Sequence, residues 1–247
     1  MAGRFRIIDG DGHLLDGPDL VYRRYLPEQY RNRSGPFFPQ FGWDIRLGAV
    51  AVMMPTYVSP GLDLGQPQFD PIYAEAQELG VPVAFHATAQ VSQGTVRFHK
   101  YLGVHMVSHP FEQMISIISI IANGVLDRFP KLKVAFLEAG VGWVPYWMDR
   151  FDEKYHKRKA EMTALKMLPS DYIKANRCFF TCEGEESALP FMIERFGDDC
   201  ILYASDYPHW DTDWPNTAKL IIERKDVTEK TKEKILGLNA LSFYRLE

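Results

Sequence analysis

The feature that most constrains this chain is an alternation of short apolar runs with segments of helical period. The runs are residues 5–9, 48–54, 82–85, 133–137, 177–181 and 201–204. Several are continuously apolar rather than alternating, which fits strands buried on both faces, as in a parallel sheet covered by helices. The intervening patterns predict those helices. One covers 71–79, with Asp70 as N-cap, Pro71 at the first helical position and Gly80 as the stop. A second covers 111–127, with an apolar stripe through Phe111, Met114, Ile115, Ile118, Ile121, Val125 and Leu126. Residues 145–159 and 189–196 are further helices, and a last one opens on a capping box, Asp226-x-x-Glu229, and buries Ile235, Leu236, Leu238 and Leu241. The fold class is therefore α/β, a parallel sheet of βα units, the units from which (β/α) barrels are built. A closed barrel of this kind needs eight strands. Six are legible, and residues 31–46, with Gly35, Pro36, Pro39 and Gly42, read as a loop. The expected barrel is about two βα units short.

A chain of 247 residues with 46% hydrophobic and 24% charged residues fits one domain spanning 1–247, with a core that needs no disulfide or metal staple. A net charge of −4 without any basic stripe argues against a nucleic-acid partner. The longest apolar stretch, 114–126, is too short for a bilayer, and only Ile7-Ile8 follows the basic start, so neither a membrane span nor a signal peptide is expected. Cys178, Cys182 and Cys200 read as small core residues, and their odd, low count fits a cytoplasmic setting.

Three strand ends carry chemistry-bearing residues. The first run leads into Asp9-Gly10-Asp11-Gly12-His13. Residues two apart share a face of a strand, so Asp11 and His13 form a two-ligand clamp for a cation. His86 ends the apolar run 82–85, and Asp206 follows the run 201–204. Taken singly, each has a plain structural alternative: an Asx turn, a satisfied histidine, a helix N-cap. Together they put a carboxylate or imidazole at the end of a first, a middle and a last strand, where barrel enzymes keep functional groups.

The segments IDGDGH (7–13), PVAFHAT (82–88), GVLDRFPKLKVAFLEAGVGWVPYWMDR (124–150), YASDYPHWD (203–211) and KILGLNALSFYRL (234–246) resemble, in order and spacing, the amidohydrolase-related family. The branch is the one with the aminocarboxymuconate-semialdehyde and resorcylate decarboxylases. The resemblance implies a TIM barrel holding one divalent metal ion, zinc first and manganese second. It also implies a metal set of Asp11, His13, His86 and Asp206, and a homodimer as the default assembly. Relatives often have His-x-His or Glu-x-His on the first strand; the Asp11 carboxylate makes this site harder and tilts it toward manganese or magnesium. Where many relatives place a catalytic histidine, this chain has Glu138. Glu138 is open to roles as general base, bridging ligand or substrate partner, or to simply capping the turn at Gly140. The βα units missing from the strand count fall between the first strand and residues 48–55, where relatives have more chain.

The expected activity is metal-dependent hydrolysis of a small carboxylate or carbonyl compound by activated water, with Asp206 and Glu138 catalytic. Non-oxidative decarboxylation of a small aromatic or unsaturated acid is the alternative, and a shortened barrel with only a ligand site is the second. His109, taken as a turn residue before a helix, and His209, Trp210 and Trp143 are candidate substrate contacts. Tyr146 and Trp147 read as core, His99 and His105 as surface, and the run 223–234 as a solvated helix face.

Overall fold

The computed structural model describes residues 7–8, 50–87 and 94–246. Five parallel strands form one sheet in sequential order: β1 (Val52–Pro55), β2 (Val83–His86), β3 (Val134–Phe136), β4 (Cys178–Cys182) and β5 (Ile201–Tyr203). Each pair of neighbours is joined by at least one helix: α1 (Asp70–Leu79), α2 (Tyr101–Ala122), α3 (Val125–Arg128), α4 (Val144–Lys157), α5 (Pro169–Lys174) and α6 (Leu189–Phe196). After β5 come α7 (Thr217–Glu223), α8 (Glu229–Glu233), a π-helical turn Lys234–Leu238 and α9 (Asn239–Tyr244). This is the βα alternation of a partial barrel. Of the expected first strand only residues 7–8 are described, and Asp11, His13 and the loop 31–46 lie outside the described residues.

Registers of Val83 with Val134 and Phe85 with Phe136, then Phe136 with Phe180, stack alternate side chains into rows. Phe85, Phe136 and Phe180 lie ring on ring at 5.6 Å spacings and are fully buried beneath the helices. The opposite face carries Ala84, Ala135, Phe179 and Leu202, packed against Ala240 and Phe243 of α9 and against Ile8. From β2 to β5 both faces are therefore dry, which is why those strands read as apolar runs. Cys178, Cys182 and Cys200 are buried free thiols. Among the described residues no helix is long and apolar enough to cross a membrane.

Several local expectations are revised. The second helix begins at Tyr101, ten residues before Phe111, and carries Pro110 in its interior. His109 is therefore a helical residue and not a turn before the helix. The helix stops at Ala122 because Gly124 sits at φ 70, leaving 125–128 as a separate turn of helix. The expected apolar stripe is buried only toward its end, at Ile121, Val125 and Leu126. Phe111, Ile115 and Ile118 stay exposed, whereas Gln113, Ser116 and Ser119 are buried. The buried amide nitrogen is satisfied: Gln113 Nε2 donates to Phe85 O and Leu137 O, each at 2.7 Å, and so ties α2 to two strand ends. Asp70 opens α1 rather than capping it, and instead grips the Arg128 guanidinium. Thr228, not Asp226, caps α8 by accepting from Thr231 N. Leu238 is exposed, because the π-helical turn rotates it off the buried face. The run 223–234 is not wholly solvated: Lys232 is buried, with Nζ on Ile222 O and Glu229 Oε1. The helices α5 and α7 gave no clear sequence pattern.

Candidate active site

Four of the singled-out side chains come from the carboxyl ends of three parallel strands, and a fifth from α2. His86 is the last residue of β2, Glu138 stands two residues past β3, and Asp206 and His209 follow β5. His109 reaches in from α2. Glu138 and Asp206 both adopt φ 54, the left-handed region that non-glycine residues seldom occupy. The turn this makes at each strand end aims a carboxylate into the mouth of the sheet. Glu138 is fixed further by its backbone N–H, which donates to Thr181 Oγ1 on the neighbouring strand at 2.8 Å.

Glu138 is the hub. Its Oε2 lies 2.7 Å from His86 Nε2 and 3.3 Å from His109 Nε2. Its Oε1 lies 3.7 Å from His209 Nδ1, which is 3.5 Å from Asp206 Oδ2. Burial works to raise the Glu138 pKa, but the hydrogen bond with His86 and the nearby His109 and His209 outweigh it and hold the carboxyl below its ordinary range. His109 moves down as well, because burial outweighs the attraction of Glu138.

The tautomers follow from the partners. His86 Nδ1 is 2.7 Å from Ala87 O, and a carbonyl oxygen only accepts, so Nδ1 carries the proton. Ser108 Oγ donates to His105 O and so accepts from His109 Nδ1 at 3.0 Å. Both rings thus turn Nε2 toward the same carboxylate oxygen, and a hydrogen bond there requires a proton on Nε2 as well. A histidine whose outer nitrogen is anchored on a carbonyl is also the usual form of a metal ligand. The donor set fits a divalent cation: one atom each from Glu138, Asp206 and His209 lie within 4.8 Å of one another.

Beside this cluster opens a cavity of about 500 Å³, walled by His105, His109, Glu138, Glu183, Glu185, Asp206, Asp211 and Asp213. His105, expected at the surface, belongs to this wall; its Nε2 lies 3.4 Å from Asp211 Oδ2, and its ring lies 6.0 Å from that of Trp210 at the rim. Trp210 itself is mostly exposed. Trp143 is turned away from the cavity: its ring meets Phe180 edge-on, and Nε1 donates to Gly140 O. The turn at Gly140 is capped by Glu186, not by Glu138. Glu186 Oε2 accepts from Val141 N and Gly142 N, and its Oε1 accepts from Glu183 N. The acidic segment Glu183-Gly-Glu-Glu186 directly follows the apolar β4 and repeats the signal that exposed Glu138 and Asp206, a carboxylate at a strand's end. His105 and Asp211 carried no such signal, since only the fold brings α2 against the loop after β5.

The sequence profile described as Amidohydrolase matches residues 44–246. The 2-amino-3-carboxymuconate-6-semialdehyde decarboxylase of Dictyostelium discoideum is 30% identical over 204 residues, which are 82% of this chain and 55% of that protein. The crystal structure of 5-carboxyvanillate decarboxylase from Sphingomonas paucimobilis superposes with a TM-score of 0.70 at 24% identity, over 82% of this chain and 60% of that one. A dihydroxybenzoic acid decarboxylase from Polaromonas, solved with manganese and 2-nitroresorcinol, gives 0.66 at 21%, over 82% and 62%. The chain spans little more than half the length of the curated relatives it matches. With the profile running through β1 to α9 and all of the described site, this chain belongs to the amidohydrolase family.

Proposed function

We propose that this chain is a metal-dependent, non-oxidative decarboxylase of a small aromatic or unsaturated carboxylic acid. The observation that carries the reading is the convergence of His86, Glu138, Asp206 and His209 beside a cavity large enough for one aromatic ring with substituents. The chemistry of its relatives favours carbon dioxide release over the hydrolysis that the residues alone put first. Asp11, His13, His86 and Asp206 would hold the cation. When bound, the cation supplies fixed positive charge against which a substrate carboxylate and a neighbouring oxygen can seat. Carboxylates outnumber imidazoles once Glu138 is counted beside that set, which favours manganese over zinc.

The proton comes from this chain's own groups. As the bond between ring or chain carbon and carboxylate breaks, carbon dioxide departs and the electron pair stays on carbon. Asp206 passes a proton to that carbon and is restored to carboxylate. Glu138, ionised and held among three imidazoles, orients the substrate's polar edge. His109 and Trp210 form the inner wall and the outer rim against which the ring lies.

The test is a panel of hydroxybenzoic and unsaturated dicarboxylic acids incubated with Mn²⁺-loaded protein, with released carbon dioxide measured against hydrolysis products. Carbon dioxide release that falls at least a hundredfold in Asp206→Asn is expected. Hydrolysis without carbon dioxide, or unchanged turnover in Asp206→Asn, would overturn the assignment.

A further inference from the structure

We infer that Glu138 and His209 bind the cation directly, Glu138 through Oε1 and His209 through Nδ1, completing a three-donor face with Asp206. The inference rests on the metal-dependent reading above and changes who holds the metal. Two residues otherwise given to substrate become ligands, and part of the cation site is assembled from residues 138–209 alone.

Distances point first to coordination. His209 Nδ1 is 3.5 Å from Asp206 Oδ2 and 3.7 Å from Glu138 Oε1. Both separations are long for a hydrogen bond, in which a nitrogen donor sits about 2.7–3.2 Å from oxygen. They suit neighbouring corners of a coordination shell: bonds of about 2.1 Å set at tetrahedral angles put ligand atoms about 3.4 Å apart. The three donor atoms lie within 4.8 Å of one another.

Burial of the same carboxylate supports this assignment. Glu138 Oε2 is enclosed, 2.7 Å from His86 Nε2 and 3.3 Å from His109 Nε2, so the two imidazoles occupy that oxygen and Oε1 is the one turned toward His209. The left-handed backbone at Glu138 and Asp206 holds both carboxylates in place before any ion arrives.

The experiment is metal binding, read without turnover. Chelator-stripped full-length chain is titrated with Mn²⁺ alone, by calorimetry and by loss of the free-ion electron paramagnetic resonance signal. The wild type is expected to take up about one ion. Glu138→Gln and His209→Ala are each expected to weaken binding at least tenfold, the lower end of what even supporting residues of metal sites cost. Glu138→Asp, which keeps a carboxylate, is expected to recover most of it. His105→Ala, on the cavity wall but outside the donor set, is expected to stay within about twofold of wild type. Thermal unfolding of each metal-free variant checks that it folds; should Glu138→Gln not fold, the His209→Ala titration decides. Unchanged affinity in folded Glu138→Gln or His209→Ala overturns this inference while leaving the metal-dependent reading intact. A wild-type chain that binds neither Mn²⁺ nor Zn²⁺ overturns both.

Discussion

At the scale of single residues, the site is a set of carboxylates kept apart by what surrounds each one. Glu138 is held ionised by imidazoles. Glu183, on the cavity wall, is pushed up to about 7, first by burial and then by Glu186, Glu185, Asp206 and Glu138. A carboxyl whose folded pKa is raised stabilises the fold fully below its unfolded value, near 4.3, and that contribution is lost as pH rises through the folded value. In metal-free protein, Glu183→Gln is therefore expected to match the wild-type Tm near pH 4.5 and to exceed it progressively from pH 5 to pH 8. A constant difference across that window in thermal melts would refute the assignment. Glu186 plays a different part, since its carboxylate receives three backbone N–H groups and shapes the turn that follows Glu138. Position along the chain separates these neighbouring glutamates poorly. Their partners separate them clearly.

At the scale of elements, the strand ends work because the strands and helices beneath them are locked together. Arg177, just before β4, donates from Nε to Leu132 O at 2.8 Å, and from its terminal amine to Phe129 O at 2.8 Å and Leu126 O at 3.2 Å. One guanidinium thus satisfies carbonyls left open around the end of α3. Arg177→Ala is expected to cost about 3 kcal/mol in urea unfolding, since charge-assisted bonds are lost and partly buried carbonyls lose their donor. Arg177→Lys is expected to recover less than half, because an ammonium cannot reach all three oxygens with the same fork. The Phe85–Phe136–Phe180 row makes the corresponding claim for the sheet. Phe136→Ala, at the row's centre and 1% exposed, should cost about 3–5 kcal/mol. A loss below about 1 kcal/mol would show that the neighbouring rings collapse into the space.

At the scale of the whole molecule, metal and fold are expected to be linked. A cation that binds only the folded chain stabilises it by about 2.7 kcal/mol at a hundred times its Kd. Mn²⁺ should therefore raise the Tm, and a chelator should return it; a Tm indifferent to both would count against a resident metal. We further propose a homodimer, in line with the exposed Met53 on β1, which like β5 pairs on one side only among the described residues. Sedimentation at micromolar concentration should find twice the chain mass. The parallel α/β class, five strands to within a few residues, and His86, Glu138 and Asp206 at strand ends were all legible in the sequence, because burial on both faces writes itself as apolar runs and the chemistry sits where each run stops. The start of α2 was not legible, since the bonds that place its buried polar face reach to strands 24 and 28 residues away in sequence. The partnership of His109 with Glu138, the entry of His105 into the cavity wall, and the separation of Glu186 as turn cap from Glu138 as hub belong to the tertiary structure alone. Each depends on which atoms stand within about 3 Å once elements distant in the chain are packed together, and hydrogen bonding and charge act over that distance in space, not along the sequence.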